Sequence, residues 1–313
     1  MHSYVLTHRV SHADVDLLGE IKVTALLGLL EQAAVEASWD CGFDPAWYTQ
    51  NGRVWIIRRT RLERRLPVGG GDVLQVATHV LDWRRARSLR AYEVRLVARD
   101  AAPRDTAPKT REGDDAKVVA VATTDWVYCD MASGRPASIP EEMRRRFSGD
   151  GAVTTLPRAA ALPDAGPGEP VAMPLTVRPS LLDHVTHVNN AAYAGLLEDG
   201  AFELFAAQGL TVERMLELGG ALRVRALDVE YLDDAVAGDR LMVRSWRLDG
   251  ASADAAAESA ERKTEATGAE SGRPRDAQLL QTIERAGGGR ILRARSEWTW
   301  RQRPAVLGGV PPA

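Results

Sequence analysis

The residues best suited to acid–base chemistry lie together in one segment, 183–190. It reads Asp-His-Val-Thr-His-Val-Asn-Asn and holds a carboxylate at Asp183 and an imidazole at His187, followed by Asn189 and Asn190. A carboxylate and an imidazole can take a proton from water, and carboxamides can hold a bound group by hydrogen bonds. The segment therefore predicts a site that handles water beside a bound polar group.

A helical pattern begins directly after this segment. The first backbone N–H groups of a helix lack partners within the helix, and with the helix dipole they favour a developing negative charge. A carbonyl oxygen held by the amides of residues 189–192 would be polarised as in an oxyanion hole. The alternative is structural, because Asp and Asn are common in turns and caps and a histidine can serve packing alone.

The chain also carries an internal repeat, which supplies a comparison for the segment. Sliding the sequence against itself by 167 residues aligns Asp16–Leu81 (copy one) with Asp183–Leu248 (copy two) without a gap. Of the 66 aligned pairs, 17 are identical. Asp183 is matched by Asp16, which favours a structural task common to both copies, such as capping or binding turn amides.

The other polar residues of the segment have no match in copy one. His187 is paired with Glu20, and the two asparagines are paired with Lys22 and Val23. The His/Asn cluster is therefore a property of copy two alone, which places the candidate chemistry in the second half of the chain.

Each copy predicts the same series of elements: a short strand, a polar turn, a helix of about 17 residues and four further strands. The strands of copy one are predicted at Val5–Val10, Val54–Leu62, Val73–Asp82, Leu89–Ala98 and Val118–Tyr128. Those of copy two are predicted at Leu175–Val177, Leu222–Tyr231, Arg240–Leu248, Gln278–Glu284 and Ile291–Trp300. One helix with several antiparallel strands favours an α+β fold in which the sheet wraps around the helix.

The composition shifts along the chain predict where these two domains begin and end. The first domain is expected at 1–148 and a Pro/Gly/Ala-rich linker at 149–171. The second domain is expected at 172–304, with an Ala/Glu/Ser-rich insertion at about 250–277 that is expected to be mobile, and a tail at 305–313.

Composition excludes several classes of protein. The 313 residues carry a net charge of −3 with a pI near 6.1, contain no apolar run long enough to cross a bilayer, and begin without a secretory leader. We therefore expect a cytoplasmic protein that does not bind nucleic acid. Cys41 and Cys129 lack ligand spacing, so no structural zinc site is expected, and no nucleotide-binding, serine-hydrolase or zinc-protease motif occurs.

The charge is unevenly distributed. Residues 53–99 hold twelve Arg and four acidic residues, a local charge of +8. This excess predicts a surface for an acidic partner, and the alternative is a set of solvated strand faces. The residues nominated for docking are Arg58, Arg64, Arg84 and Arg85.

The spacing of Asp183, His187-Val188-Asn189-Asn190 and Tyr193 resembles the Asp-x-x-x-His-Val-Asn-Asn-x-x-Tyr signature of hotdog-fold thioesterases. The tandem arrangement, with Trp55-Ile56-Ile57 and Val229-Glu230-Tyr231, resembles the acyl-ACP thioesterase family. That resemblance implies two tandem hotdog domains, the first shaping an acyl pocket and the second catalytic. It implies hydrolysis of a fatty acyl thioester on acyl carrier protein, with release of free fatty acid and no cofactor.

The resemblance also assigns roles to residues of copy two. Asp183, His187 and Asp234 are implied to be catalytic, with Asp183 acting as base or nucleophile. The residues implied to bind substrate are Asn189, Asn190 and Tyr193. The sequence departs from the family at Val185, where an Asn is typical, at Asp234, where the longer Glu is typical, and at Ala235, where a Cys is typical.

These departures keep other functions open. An acyl-CoA thioesterase of the same fold and a non-catalytic acyl-binding protein are the alternatives, and a hydratase of this fold is a third. The partner would be acyl carrier protein, which is strongly acidic, or a CoA thioester. The two copies in one chain would form an intrachain pseudo-dimer, so the protein would be a monomer or a homodimer.

Overall fold

The computed structural model describes residues 2–98, 117–148, 159–248 and 276–303. The chain divides into two compact units. Unit 1 is Met1–Ala161 with Asp228–Tyr231, and unit 2 is Leu162–Leu227 with Leu232–Ala313. The predicted tail, most of the predicted insertion and the first part of the predicted linker lie outside the described residues.

The described part of unit 1 is an antiparallel sheet with one long helix packed on it. Its strands are β1 (Tyr4–Arg9), β2 (Arg53–Arg64), β3 (Val73–Trp83), β4 (Arg87–Ala98) and β5 (Lys117–Asp130), paired in the order β1, β3, β4, β5, β2. Its helices are α1 (Val23–Asp40), α2 (Pro45–Asn51) and α3 (Glu141–Ser148). The long helix α1 packs against β1 and β3, so the core lies between helix and sheet.

The described part of unit 2 repeats this arrangement. Its strands are β6 (Val171–Thr176), β7 (Gly220–Tyr231), β8 (Arg240–Arg247), β9 (Ala277–Arg285) and β10 (Arg290–Gln302), in the order β7, β10, β9, β8, β6. The last four residues of β7, Asp228–Tyr231, are grouped with unit 1. Its helices are α4 (Asn190–Ala207) and α5 (Val212–Glu217), and α4 packs on β6 and β8. The predicted fold, α+β with two tandem hotdog domains, is confirmed.

The 167-residue offset is reproduced in the element boundaries. Adding 167 to both ends of β1, α1 and β2 gives both ends of β6, α4 and β7. Each long helix is followed by a glycine in the left-handed region, Gly42 at φ 81° and Gly209 at φ 79°. Glycine adopts this conformation without a steric penalty, so the sequence stops the two helices at equivalent points.

The short helices are not among the predicted elements. In α2, Asp44 caps the helix by accepting from the Trp47 amide at 2.8 Å, with proline at the first turn. In α3, Met143 and Phe147 are buried in the core of unit 1. Both helices are too short to show a helical repeat of apolar residues, so only their caps and end residues could have revealed them.

Candidate functional site

The candidate site of unit 2 is built on the turn of residues 183–189, here called the Asp183 turn. Its ends are joined by a bridge between Leu182 and Val188. The carboxylate oxygen Oδ1 of Asp183 accepts from the amide of Val185 at 2.9 Å and from that of His187 at 3.4 Å. The Asp183 amide donates to the His187 carbonyl at 2.8 Å. Asp183 therefore fixes the backbone that carries His187.

Residues 16–22 of unit 1, the Asp16 turn, have the same bonds. Oδ1 of Asp16 accepts from the amides of Leu18 at 2.9 Å and Glu20 at 3.1 Å, and the Asp16 amide donates to the Glu20 carbonyl at 2.8 Å. A bridge between Val15 and Ile21 closes this turn as well. The structural task expected for the shared aspartate is confirmed, and chemistry at Asp183 would involve its other oxygen, Oδ2.

The two turns differ in the residue that takes a left-handed conformation. Thr186 has φ 68°, and its counterpart Gly19 has φ 75°. Within the described ranges, Thr186 is the one non-glycine residue with positive φ. A β-branched residue in this region is strained, typically by about 1–2 kcal/mol. The Asp183 turn thus holds strain that the Asp16 turn avoids.

His187 and Asp234 lie close together beside the Asp183 turn. Nδ1 of His187 is 3.5 Å from Oδ2 of Asp234, and the side chains are 42% and 61% exposed. The backbone brings them together, because His187 bridges to Val236 and the Val188 amide donates to the Ala235 carbonyl at 2.9 Å. The distance permits an electrostatic contact that a small side-chain rotation would turn into a hydrogen bond.

Arg285, at the end of β9, anchors the segment that carries Asp234. Its guanidinium donates to the Asp234 carbonyl and to the Asp233 carboxylate, and its Nε donates to Asp239 at 3.3 Å. The hydrogen bond from Arg285 lowers the pKa of Asp233, and Asp233 in turn raises the pKa of Arg285. Sequence reasoning missed Arg285, because it lies beyond the aligned repeat and nothing local marks it.

The residues implied to bind substrate make hydrogen bonds within the protein or begin its helix α4. Asn189 is the N-cap of α4, and its side chain accepts from the Ala191 amide at 2.8 Å. The Ala192 amide donates to the Asn189 carbonyl at 3.0 Å, and the Asn189 amide donates to Leu181 at 2.9 Å. Three of the four amides expected to form an oxyanion hole are therefore engaged. Asn190 begins α4 directly after this cap.

Tyr193 lies behind the site rather than on its surface. Its side chain is 2% exposed. Burial raises the pKa of Tyr193, and the negative charge of Asp234 raises it further, so the hydroxyl stays protonated beneath the Asp234 segment. A supporting role for Tyr193 beneath this segment fits the geometry better than direct contact with a bound thioester.

The two positions that depart from the family differ in exposure. Val185 is 50% exposed, whereas its counterpart Leu18 in the Asp16 turn is 1% exposed. Ala235 is fully buried, so a cysteine there would not be accessible either. The Asp183 turn therefore presents an apolar side chain to solvent at the point where the family has an amide.

Unit 1 has no such exposed pair at the equivalent position. Glu20 replaces His187, and its Oε2 is 4.0 Å from Nη2 of Arg64, with side-chain exposures of 13% and 8%. Arg64 also donates to the Ile21 carbonyl at 2.8 Å. The predicted docking role of Arg64 is corrected here, because a side chain that is nearly buried in an ion pair cannot form a docking surface.

The other nominated arginines lie at or near a cleft in unit 1, here called the arginine cleft. The arginines that line it are Arg58, Arg59, Arg61, Arg84 and Arg87, and the acidic residues that line it are Asp82, Asp125 and Glu230. Arg87 pairs with Asp125 at 3.0 Å and Arg84 with Asp82 at 3.3 Å. Arg85 is exposed and donates to Ser138 at 3.1 Å. Much of the positive charge is thus neutralised locally, and a smaller excess remains.

No group of three or more His, Cys, Asp or Glu side chains within the described ranges could hold a metal ion. Nor does any helix in those ranges have the length and apolar character needed to cross a membrane.

Comparison with known proteins identifies a family whose sequence profile matches most of the chain, and solved structures that share its fold. The sequence profile of the family described as the thioesterase-like superfamily matches residues 10–147 and 177–271. Among solved structures, a protein of Lactobacillus plantarum described as an oleoyl thioesterase is similar, with TM-score 0.71 and 17% identity over 97% of this chain and 96% of that one. The first matched segment covers most of the first repeated half of the chain, and the second covers the second half as far as residue 271.

Two further structures are similar over almost their full length. An acyl-ACP thioesterase of Bacteroides thetaiotaomicron has TM-score 0.62 and 15% identity over 95% of this chain and 97% of that one. A 12:0-ACP thioesterase of Umbellularia californica has TM-score 0.64 and 17% identity over 96% of this chain and 94% of that one. At these identities the likeness establishes the tandem hotdog fold.

Proposed function

Because the chain belongs to the thioesterase-like superfamily, we propose that it hydrolyses fatty acyl thioesters, with acyl carrier protein as the carrier of the acyl group. The observation that carries the proposal is the His187–Asp234 pair, exposed at the start of α4 in unit 2. The equivalent position in unit 1 holds a nearly buried ion pair, which suits a structural role alone.

The proposed reaction uses His187 as the base. Asp234 faces Nδ1 of the imidazole, which leaves Nε2 to take a proton from water as the water oxygen attacks the thioester carbonyl. The carbon–sulfur bond then breaks, the electron pair goes to sulfur, and the thiolate takes the proton back from His187. The products are a free acid and a thiol, so atoms and charges balance without a cofactor.

Asp183 has a positioning role in this scheme. Its Oδ1 holds the amides of Val185 and His187, so it sets the direction of the imidazole, while Oδ2 can orient the attacking water. Asp183 then acts mainly through His187, rather than as the nucleophile that the resemblance allows.

The arginine cleft supports acyl carrier protein as the partner. Five arginines and three acidic residues line it, and Asp228 pairs with Arg59 and Arg61. An excess of one positive charge is left, which suits an acidic partner. The docking residues we propose are Arg58 and Arg84 in the cleft and Arg85 beside it. Each side chain of such a surface steers association more than it adds affinity.

The decisive experiment is a double-mutant cycle on the proposed pair. Thiol release from acyl-CoA and acyl-ACP is measured for wild type, His187→Gln, Asp234→Asn and the double variant. If the two residues act together, each single variant loses most of the activity and the double variant loses little more. If the fold-loss of the double variant equals the product of the two single losses, the residues do not act together. Equal turnover in all four proteins would reject the site assignment.

A second measurement separates the carriers. Reversing the charge of Arg58, Arg84 and Arg85 together should raise KM for acyl-ACP at low salt and leave KM for acyl-CoA unchanged. The matched control is Arg214→Glu, because Arg214 is an exposed arginine of α5. An unchanged KM for acyl-ACP would reject the docking surface while leaving the hydrolysis proposal intact.

One observation favours a second candidate, an acyl-binding protein without turnover. Val185, half exposed in the Asp183 turn, cannot hydrogen-bond water or substrate through its side chain. If acyl-CoA and acyl-ACP bind at micromolar concentration but no thiol appears at any chain length, this candidate replaces the hydrolase.

A further inference from the structure

Two apolar side chains are exposed at the candidate site of unit 2, and the proposed reaction does not use them. Val185 is 50% exposed and Val236 is 43% exposed. The described residues of unit 2 include no other large apolar side chain that is exposed to this degree. Single exposed apolar residues are common on protein surfaces, but here both of them lie close to His187 in the structure or in the turn that carries it.

The backbone places Val236 next to the imidazole of His187. The two residues form an antiparallel bridge, and residues paired in this way point their side chains to the same side, with Cβ atoms about 4.5–5.5 Å apart. The Val188 amide donates to the Ala235 carbonyl at 2.9 Å, which marks a non-hydrogen-bonded pair, the kind whose side chains lie closest. His187 thus has two neighbours, the carboxylate of Asp234 and the isopropyl group of Val236.

Val185 is held by the same aspartate that holds His187. Oδ1 of Asp183 accepts from the Val185 amide at 2.9 Å and from the His187 amide at 3.4 Å. The turn therefore fixes the backbone of the exposed valine together with the backbone of the proposed base.

Unit 1 has the same bridge without the valine. Glu20 bridges to Gly69, and adding 167 to both numbers gives His187 and Val236. A glycine at this position closes the turn of unit 1, so the fold does not require an apolar side chain there. Leu18, the counterpart of Val185, is buried. The two exposed valines are therefore, like His187, a property of copy two alone.

An exposed apolar side chain contributes little to folding, because its favourable free energy is gained only when it is removed from water. A bound molecule with apolar atoms beside His187 would remove it from water. A fatty acyl group continues from the thioester carbonyl as methylene groups, whereas on the thiol side of a pantetheine carrier an amide follows two carbons after the sulfur. The acyl side therefore matches the two valines better.

We propose that Val236, supported by Val185, contacts C2 and C3 of the acyl chain and selects against acyl groups that carry a hydroxyl or an oxo group on C3. The proposal rests on the proposed function and deepens it, since it names a specificity-determining residue. C3 lies two bonds beyond the carbonyl carbon, so a carbonyl within reach of the imidazole brings C3 beside the neighbouring Val236. A polar group there would lose its hydrogen bonds to water and find only methyl groups in return.

The kinetic test compares two acyl thioesters of equal length on the same thiol, one unsubstituted and one with a hydroxyl on C3. For wild type we expect kcat/KM to be at least about tenfold higher for the unsubstituted chain. Val236→Thr, which keeps the shape and adds a hydroxyl, should reduce this ratio by about fivefold or more. Val236→Gly, which installs the residue of unit 1, should lower kcat/KM for the unsubstituted chain by about 3–10-fold. Equal wild-type rates for both chains, or a ratio that Val236→Thr leaves unchanged, would overturn the proposal.

Two controls make the kinetic test specific. Val5→Thr makes the same change at an exposed valine of β1 in unit 1, and it should keep the wild-type ratio. The second control keeps the acyl group and varies the thiol, with N-acetylcysteamine compared with ethanethiol. Wild type and Val236→Thr should show the same preference between these thiols. A variant that changes only the thiol preference would place the valine on the thiol side and contradict the proposal.

A binding measurement keeps the test independent of turnover. In the ketone analogues of the two substrates a methylene group replaces the sulfur, so they cannot be hydrolysed. Calorimetry should show at least about tenfold tighter binding of the unsubstituted analogue to wild type, and a smaller difference for Val236→Thr. If this pattern appears and no thioester is hydrolysed, the acyl contact stands and the hydrolase proposal fails. If thioesters are hydrolysed with a ratio that Val236→Thr leaves unchanged, the reverse holds.

Folding should not complicate these measurements. Val236 is exposed, and glycine occupies the equivalent position of unit 1, so both variants should melt near the wild-type temperature. Should Val236→Gly unfold, Val236→Thr decides the question through the kinetic and binding ratios alone.

Discussion

The Asp183 turn and the Asp16 turn have the same backbone but carry different side chains. Both are closed by an aspartate whose Oδ1 accepts two turn amides. In unit 1 the next polar residue, Glu20, faces the nearly buried Arg64, whereas in unit 2 its counterpart His187 faces the exposed Asp234. The residue at this position of the turn thus belongs to a nearly buried ion pair in unit 1, whereas in unit 2 it is an exposed imidazole that can accept a proton.

This difference distinguishes the residues that the fold requires from the residues that the proposed reaction requires. A feature found in both turns, such as the aspartate, is explained by the backbone that it holds. A feature found in one turn requires another explanation, and His187, Asp234, Arg285 and the strained Thr186 all belong to unit 2. A duplicated chain therefore contains its own control for each proposed functional residue.

The largest expected effect comes from making the second turn resemble the first. His187→Glu places the residue of the Asp16 turn at the proposed base and puts its carboxylate opposite Asp234. We expect kcat/KM for thiol release to fall by roughly 10²–10⁴-fold, as for loss of a general base. The melting temperature should change little, because both side chains are largely exposed.

The reciprocal change tests the other half of the comparison. Glu20→His removes the carboxylate that faces Arg64, and we expect loss of about 1–3 kcal/mol of stability because a nearly buried guanidinium loses one of its partners. Activity per folded molecule should be unchanged. Full activity in His187→Glu, or lost turnover in folded Glu20→His, would contradict the assignment of chemistry to unit 2.

The next effect compares the shared aspartates. Asp183→Asn and Asp16→Asn each weaken the bonds to two turn amides, and we expect each to destabilise its unit by about 1 kcal/mol. Only Asp183→Asn should also reduce kcat, by roughly 10-fold or more, because it alone orients His187 and the attacking water. Thermal unfolding and thiol release, measured on both proteins, check this. Equal kcat losses would mean that the aspartates act through stability alone.

Arg285 gives a smaller effect, because it acts through the segment that carries Asp234. Arg285→Met removes the bonds to the Asp234 carbonyl and to Asp233 and Asp239. We expect kcat to fall by roughly 3–10-fold, since a displaced partner still leaves His187 in place, and the acid limb of the pH–rate profile to shift. Arg214→Met, which breaks an exposed pair with Glu217, is the control. A change in KM alone would contradict a positioning role.

The repeat explains why much of the fold could be predicted from the sequence. The aligned pairs predicted the long helices and the strands β2, β3, β7 and β8, because periodicity in one copy supported the same element in the other. The repeat also predicted that Asp183 has a structural role, because Asp16 occupies the same position in the other copy. The short helices α2, α3 and α5 were not predicted, because a helix of six to eight residues shows too few turns for a pattern.

The parts of the site that were missed depend on contacts distant in sequence. Arg285 reaches Asp234 only because β8 and β9 pair and bring the end of β9 beside the 233–239 segment. Arg64 was nominated for docking because alternation along a strand shows two faces without showing which one is buried.

A smaller effect is expected from exchanging the left-handed residues of the turns. Thr186→Gly should stabilise the protein by up to about 1 kcal/mol through relief of strain, and Gly19→Thr should destabilise it by about 1–2 kcal/mol. Urea denaturation of both variants measures these changes. Stabilisation without loss of thiol release would show that Thr186 is tolerated rather than required, whereas loss of turnover would show that its side chain serves the site.

The smallest effect is a difference in pH dependence between the two units. Burial raises the pKa of Asp16 above its usual 3.8, so the stability that Asp16 contributes is present at low pH and declines as pH rises through its folded pKa. The Arg285 hydrogen bond lowers the pKa of Asp233 below 3.8, so the stability that Asp233 contributes is present above that value and is lost as pH falls through the folded pKa.

Hydrogen exchange of peptides that cover the Asp16 turn and the segment of Asp233, followed across the acid range, measures the stability of the two units separately. Asp16→Asn should flatten the profile of unit 1 alone, and Asp233→Asn that of unit 2 alone. Profiles that bend in the same direction for both wild-type turns would show that the carboxylates respond to global unfolding instead of to their own surroundings.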